Sequence, residues 1–593
     1  MSNYNQKTNV PVAVKTRSQM DLSHVTIASQ DFGNLVPISC QYLVPGDEFN
    51  INVSEFTRVL PMVNPTFAKV DSVVRAFAVP INYIWKGFNN FISGSPRTVA
   101  VNSQASSVPN VPTFLLTDLR SIFMYESFST VIGEGDSFED SYDFMAASGS
   151  PSVKTYYKFT AKGKKVYKLL CGLGYNVNFS DSSDVSFNVI YSNVKVSLLP
   201  LLAFAKFYLD WIVPARFLSQ YRLLQSFIDA SYVSSGQINL SALQSILDFS
   251  FDSFLDNDYF TASFENVSKT PNTIDSVVKT GLGDQNFIAV GASEALGANF
   301  SPSRGYLNYF NVATLGKLQS LINRNMIAGD KFKDWLKTEF GITVNLDALQ
   351  TSTYLGMFRN TMRIGDIMST ADTSSLNGAP IGAYAGRAAL GGDGTFSYKA
   401  TQHSILIVTH EIIPKPLYFQ GLRPQCLMQS RFDFFQPEFD NLGVRAISKM
   451  ELYSGVDISK GVGGETLMKN IFGFAPQYAN LKFGYDNVIG DFRLGSMESS
   501  MSSWFLGRKF TLSNVLNSTP NINLTFCKVN GTTQASYDDM FAYQGTDVDH
   551  FYCLFDISIK ANRPMISISD ALVLDDEMND RKVAVNTNNN PNV

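Results

Sequence analysis

The residues best suited to bind a ligand lie in one short segment of alternating cations and rings. Between positions 154 and 168, six lysines stand among four aromatic residues: Lys154, Lys158, Lys162, Lys164, Lys165 and Lys168 beside Tyr156, Tyr157, Phe159 and Tyr167. Ammonium groups neutralise phosphates and aromatic rings stack on unpaired bases, and together they hold single-stranded nucleic acid without sequence preference. The alternative is a hairpin whose lysines face water while its tyrosines pack below. The residue types alone leave both interpretations open.

The candidate nucleic-acid contacts follow from this segment and from the cations near the N-terminus. They are Lys7, Lys15, Arg17, Lys154, Lys158, Lys162, Lys164, Lys165 and Tyr167.

Catalytic and metal-binding patterns are weak. His410 and Glu411 are adjacent in a predicted strand, where neighbouring side chains point to opposite faces, so packing is favoured over a shared metal. Cys426 and His410 could form a nucleophile and base, but no known nucleophile motif surrounds them. The glycine-rich segments 172–174 and 391–394 lack the residues that a phosphate-binding loop requires and read as turns. The sequence therefore predicts no catalytic residue and no cofactor, and leaves a metal undecided.

Composition limits the class of protein. The 593 residues carry a net charge of −5, with 17% charged and 13% aromatic residues. Soluble domains usually hold about 25% charged residues. The apolar fraction of 45% excludes wholesale disorder, and the near-neutral charge argues against binding through a basic field over the whole surface. Many aromatic and few charged residues suggest a surface covered by partner subunits.

The termini and the cysteines give information about the cellular compartment. We find no signal-peptide pattern, and no run approaches the 18 or so apolar residues of a membrane span; residues 198–213 read as a buried helix. Five cysteines without C-x-x-C spacing favour free thiols in a reducing compartment. Residues 575–593 lose their apolar side chains and predict a C-terminal arm that is flexible or ordered by a neighbour.

Strand patterns lie at both ends of the chain. Phe49, Ile51 and Val53 alternate with polar residues, and the apolar run 404–413 is typical of a strand buried on both faces. Helical spacing predicts helices at 198–211, two within 219–256, and one that Asp330 caps. The Gly- and Ala-rich stretch 378–394 predicts an extended loop. One large β-sandwich with insertions fits this order best.

Several ordered motifs resemble one protein family. Residues 17–23, R-S-Q-M-D-L-S, are similar to its R-S-x-F-D-L-S. Residues 77–94 resemble its F-x-V-P-x-x-x-x-W-x-x-F block. The longest match contains Y-F-Q-G-L at 418–422 and R-F-D-F-F-Q-P-E-F at 431–439. The chain thus resembles the major capsid proteins of the Microviridae, tailless phages with single-stranded circular DNA, and is closer to the gokushovirus-like and Bacteroidetes-associated branches.

The resemblance implies a fold. It is mainly β: a single capsid domain over 1–593, built on an eight-stranded antiparallel jelly roll with large helical and loop insertions. The jelly-roll strands are expected mainly in 30–95 and 400–570. Insertions are expected at about 120–150, 219–256 and 266–305, where the match is poor, as in variable exterior loops.

The resemblance also implies a function. Copies of the chain would assemble into a T=1 icosahedral shell around a single-stranded DNA genome, without catalysis and without contact with a membrane. The implied partners are identical subunits, DNA on the inner face, other virion proteins and a host-cell receptor bound through outer loops. Assembly in the bacterial cytoplasm would precede the virion.

Two other functions explain the composition in part. A carbohydrate-binding β-sandwich protein would carry an aromatic platform on one sheet face. A glycoside hydrolase would need two carboxylates in one cleft, for example from the acidic segment 120–150, at a separation that sequence does not give.

Overall fold

Antiparallel strands from both ends of the chain form two facing sheets in the computed structural model. It describes residues 17–94, 109–116, 118, 124–130, 143–146, 154–159, 161–176, 194–233, 236–247, 249, 251–265, 317, 320, 331–343, 349–368, 384–440, 444–454, 470–493, 501–512, 515, 522–530, 537–543 and 548–565. The strands are β1 Ser18–Asp21, β2 His24–Gln30, β3 Val36–Leu43, β4 Glu48–Val59, β5 Lys69–Pro80, β6 Thr113–Leu115, β7 Met124–Thr130, β8 Asp143–Ala146, β9 Lys154–Phe159, β10 Lys195–Ser197, β11 Thr353–Thr361, β12 Arg363–Met368, β13 Tyr384–Lys399, β14 Ser404–Lys415, β15 Val444–Ser448, β16 Ile471–Pro476 and β17 Phe551–Arg563. The helices are α1 Ile81–Ile84, α2 Phe88–Ser93, α3 Ala161–Gly172, α4 Leu199–Phe207, α5 Arg222–Val233, α6 Leu240–Leu247, α7 Phe332–Phe340, α8 Lys449–Leu452 and α9 Leu524–Cys527.

The first sheet has the order β1–β17–β4–β13–β12, and β2 also pairs with β17. Its strands alternate between buried and exposed residues. In β4, the predicted side chains Phe49, Ile51 and Val53 are buried and the residues between them are exposed. This alternation shows that one face of the sheet packs on the core and the other faces solvent.

The second sheet has the order β11–β5–β14–β3, and both of its faces are covered. Every residue of β14 except Lys415 is buried, which confirms the prediction for 404–413. On one face, Leu406 and Val408 join a core shared with the first sheet. On the other face, Ile405 and Ile407 join a second core formed with the helices. The architecture is therefore mainly β, consistent with a β-sandwich.

Helices cover the far face of the second sheet. In α4, Pro200 occupies the first turn, where its missing N–H leaves no hydrogen bond unmade. Phe207 at the end of α4 stacks on Phe77 of β5, with ring centroids 4.3 Å apart. The two helices predicted within 219–256 are α5 and α6, and the buried helix predicted at 198–211 is α4 with a continuing π-helical turn. Within the described part of the chain, no helix is long and apolar enough to cross a membrane.

The loop predicted for residues 378–394 is wrong from Tyr384 onward, where strand β13 begins. The glycines suggested a loop, but in β13 their missing side chains leave room for side chains of a neighbouring strand. A Cβ on Gly394 would clash with the Phe358 ring of β11, and a Cβ on Gly392 would clash with Asn360. The glycines are therefore required by the close approach of β11 to β13.

We expect Gly394→Ala to lower the free energy of unfolding by about 1–3 kcal/mol, because the new methyl group must displace the Phe358 ring. The matched control is Gly391→Ala in the same strand. Its Cβ would meet only the Glu55 carbonyl oxygen at 3.5 Å, so it should change stability by less than about 0.5 kcal/mol. Urea unfolding midpoints compare the two variants, and equal midpoints would contradict this account of β13.

Candidate assembly and nucleic-acid surfaces

The lysine-rich segment is a strand followed by a helix, so the hairpin alternative for 154–168 is wrong beyond β9. Strand β9 pairs with β7 on one side and β8 on the other. Helix α3 then places Val166, Leu169 and Leu170 in the helical core at helical spacing. Lys164, Lys165 and Lys168 consequently project from the sides of a half-buried helix.

Two lysines of α3 reach the same carboxylate. Asp549, which precedes β17, lies 2.5 Å from the ammonium group of Lys168 and 3.9 Å from that of Lys164. It also accepts a hydrogen bond of 2.5 Å from the Ser29 hydroxyl. Burial lowers the pKa of Lys168, and Asp549 opposes that shift. These contacts hold α3 against the edge of the sandwich.

Lys165 and Tyr167 also make contacts within the subunit. Lys165 lies 3.1 Å from Asp252, which in turn lies 3.5 Å from Lys528. Tyr167 packs against the helical core, and burial raises its pKa to about 12. The aspartates therefore neutralise part of the basic surface that the sequence suggests.

The remaining candidate contacts are placed in part. Arg17 donates a hydrogen bond of 2.8 Å to the Gly46 carbonyl and lies 3.8 Å from Glu48. Lys7 and Lys15 lie outside the described residues, as do the side chains of Lys154, Lys158 and Lys162. Contact of these groups with nucleic acid stays a prediction.

Sequence reasoning missed an exposed aromatic surface, which we call the aromatic loop (residues 432–439). Phe432, Phe434 and Phe435 are 61%, 56% and 50% exposed. Two short 3-10 turns, Arg431–Asp433 and Pro437–Phe439, hold the loop in shape. The rings are thus presented to solvent by an ordered backbone.

Local hydrogen bonds fix the start of this loop. The Ser430 and Asp433 side chains each accept from the other's backbone N–H, forming a capping box. The backbone N–H of Ser430 is the main reason that the pKa of Asp433 is lowered.

A second loop extends the apolar surface. Phe435 meets the buried Tyr478 ring edge-on at 5.1 Å, and the segment after Tyr478 exposes Leu481, Phe483 and Ile489. Lys482 joins the two loops by an ion pair of 3.0 Å with Asp440. The available sequence signal was the density of phenylalanine in 432–439, which lacks the alternation of a core strand.

A buried ion pair links the two sheets. His410 Nε2 of β14 lies 3.1 Å from Glu55 Oε1 of β4, and both side chains are fully buried. Gln30 lies 2.5 Å from the other ring nitrogen, and Ser72 donates to Glu55 at 2.6 Å. Burial disfavours charge on His410, but the charge of Glu55 and a hydrogen bond with Cys553 outweigh it and raise the pKa of His410 to about 10.

Glu411 points the opposite way, as the strand geometry predicts. It pairs with Arg75 and accepts a hydrogen bond from Ser253. His410 and Glu411 therefore share no site. Across the described residues, no cluster of three or more His, Cys, Asp or Glu could hold a metal ion.

A family model and individual relatives match this chain. The family described as capsid protein (F protein) matches residues 8–118 and 311–573, more than half of the chain. The chain belongs to the phage capsid protein (F protein) family. The match includes the strands of both sheets and the aromatic loop, whereas α3 and its lysines lie between the two matched segments.

Individual relatives agree with this family. Capsid protein VP1 of Chlamydia phage 1 is 22% identical over 95% of this chain and 96% of its own length. Capsid protein VP1 of Bdellovibrio phage phiMH2K is 22% identical over 90% of this chain and 92% of its own. Capsid protein VP1 of Spiroplasma virus 4 is 22% identical over 82% of this chain and 84% of its own length. The resemblance to Microviridae capsid proteins is confirmed, and the chain is a structural protein, not an enzyme.

We expect Lys168→Met to lower the free energy of unfolding by about 3 kcal/mol or more, because it removes the nearest cation from the buried Asp549. Lys164→Met is the matched control on the same helix. Its more distant and more exposed pair should contribute less than about 1 kcal/mol. Urea unfolding measures the free energy of unfolding of both variants. An equal loss in Lys164→Met and Lys168→Met would contradict the stronger role of Lys168.

The His410–Glu55 pair predicts a pH dependence. A raised pKa on His410 means that its stabilisation is complete below about pH 6.5 and is lost as pH rises toward 10. The pKa of Glu55 is lowered by His410 against the opposing effect of burial, so its contribution is lost as pH falls below about 4.5.

Glu55→Gln removes the carboxylate, and burial then disfavours the charged form of the His410 imidazole. We expect a loss of about 3–5 kcal/mol at pH 6 and a smaller loss at pH 9. Urea unfolding at both pH values measures the free energy of unfolding. The control is Glu438→Gln, which alters an exposed carboxylate. An equal loss at both pH values would contradict a charged pair.

Proposed function

We propose that the chain assembles with identical copies into a closed T=1 icosahedral shell that encloses a single-stranded DNA genome. The observation that carries this proposal is the aromatic loop together with Leu481, Phe483 and Ile489. Exposed apolar patches of this kind mark interaction sites, and aromatic residues are enriched in interfaces. Family membership supports identical subunits as the partner.

The strand order supports a jelly roll as the shell-forming unit. Strands β2, β17, β4 and β13 would form one four-stranded sheet, and β3, β14, β5 and β11 the other. Along the chain, these eight strands alternate between the two sheets except at the step from β5 to β11, which both lie in the second sheet. Strands β1 and β12 extend the first sheet at its edges. An eight-stranded jelly roll meets these pairings.

The remaining parts of the proposal follow from a closed shell. The lysines of 154–168 and the N-terminal cations would lie toward the DNA, other virion proteins would contact the shell, and outer loops would bind the host receptor. Assembly would take place in the bacterial cytoplasm. The names of the relatives, capsid protein VP1, support the shell over a carbohydrate-binding protein or a glycoside hydrolase.

We expect the triple variant Phe432→Ser, Phe434→Ser, Phe435→Ser to stay folded and to lose particle formation, because the exposed rings contribute little to the core but much to a contact between copies. The purified full chain is compared by sedimentation velocity and electron microscopy, with circular dichroism as the check of folding.

The matched control is Leu223→Ser on α5, which removes an exposed apolar side chain outside the loop. It should assemble as the unmodified chain does. Assembly of the triple variant at unchanged yield would overturn the role of the aromatic loop, and failure of the unmodified chain to form particles with the phage's other proteins would overturn the shell.

A further inference from the structure

The solvent face of the first sheet carries a row of apolar side chains where polar residues are usual. Ile27 of β2 lies opposite Leu554 of β17, which lies opposite Phe56 of β4. They are 81%, 41% and 44% exposed. Directly opposed residues share a face of the sheet, so the three side chains form one continuous apolar row.

Arginines border this row on one side. Arg58, two residues after Phe56 in β4, lies opposite Ala389, and Ala389 lies opposite Arg363 of β12. Arg387, two residues before Ala389 in β13, is on the same face. All three arginines are exposed.

Rings and guanidinium groups already meet at this border. The Arg58 guanidinium lies over the Phe56 ring, 5.5 Å from its centroid. The neighbouring row adds a second exposed ring, Tyr552, opposite Arg58. A flat sheet surface with two rings flanked by cations can stack unpaired bases and contact their phosphates at once.

We propose that this face of the first sheet, from Ile27 across Phe56 to the three arginines, is a binding surface for single-stranded DNA. The inference rests on the proposed function, which supplies such a genome, and it places the contact at residues that the sequence motifs did not indicate. It differs from the lysine helix α3, whose described cations pair with Asp549 and Asp252.

Charge complementarity decides the occupant. The apolar row alone would suit any apolar partner, but three clustered arginines favour a polyanion. On the opposite side of the row, Asp556 and Asp393 are exposed at the next outward-facing positions. A strand of DNA would therefore be held on the arginine side and repelled from the aspartate side.

The test measures binding of a labelled oligothymidylate of about 20 nucleotides to the purified full chain by fluorescence anisotropy. Phe56→Leu keeps the apolar contact and removes the ring, so affinity should fall about tenfold. The affinity of the double variant Arg58→Gln, Arg387→Gln should fall further. The double variant should also reduce the slope of log affinity against log salt by about 1.4, the contribution of two phosphates.

The control is Lys560→Gln, an exposed cation of β17 at the far end of the same face, which should keep near-normal affinity. Duplex DNA should compete poorly, because its bases are already stacked. Unchanged affinity of the Phe56 and arginine variants, equal loss in the control, or no binding by the unmodified chain would each overturn the inference. A change in sedimentation of these variants without a change in DNA affinity would identify a second copy as the occupant and would also overturn it.

Particle formation is scored separately by electron microscopy. If the Phe56 and arginine variants form normal particles and bind DNA with normal affinity, the proposed binding surface is wrong and the proposed shell is unaffected. An unmodified chain that forms no particles in the presence of the phage's other proteins contradicts the proposed function, whatever its affinity for DNA.

Discussion

Burial of the second sheet on both faces is the constraint on which the rest of the structure depends. One face of β5 and β14 closes the sandwich against the first sheet, and the other face supports α4. Adjacent polar residues must then find partners in separate environments. His410 pairs with Glu55 inside the sandwich, and Glu411 pairs with Arg75 on the helical side. Charges enter these cores only with a partner, because an unpaired buried charge is costly.

The same constraint explains what the sequence could and could not reveal. The continuous apolar run of β14 is readable because burial on both faces leaves no polar position. Strand β13 was missed because Gly392 and Gly394 look like loop residues until Asn360 and Phe358 are seen to occupy the space above them. Local pattern carries no information about a strand that is distant in the chain and adjacent in space.

The candidate surfaces divide along similar lines. Lysines among aromatic residues predicted a basic surface, but pattern could not show that Asp252 and Asp549 approach α3 from remote segments. The apolar row of Ile27, Leu554 and Phe56 could not be predicted from the sequence, because each of the three side chains comes from a different strand. The described lysines of α3 are thus paired within the subunit, while the sheet face exposes rings and arginines and the aromatic loop exposes rings. This distribution is compatible with both a net charge of −5 and the proposed shell, which would enclose a polyanion.

A particle reconstruction at side-chain resolution by electron microscopy tests the central claim most directly. The account predicts a closed icosahedral shell in which the aromatic loop is buried against a neighbouring copy. The sheet face bearing Phe56 would line the interior, with nucleic-acid density beside Arg58. A shell whose aromatic loop faces solvent and whose Phe56 face lies on the exterior would contradict it.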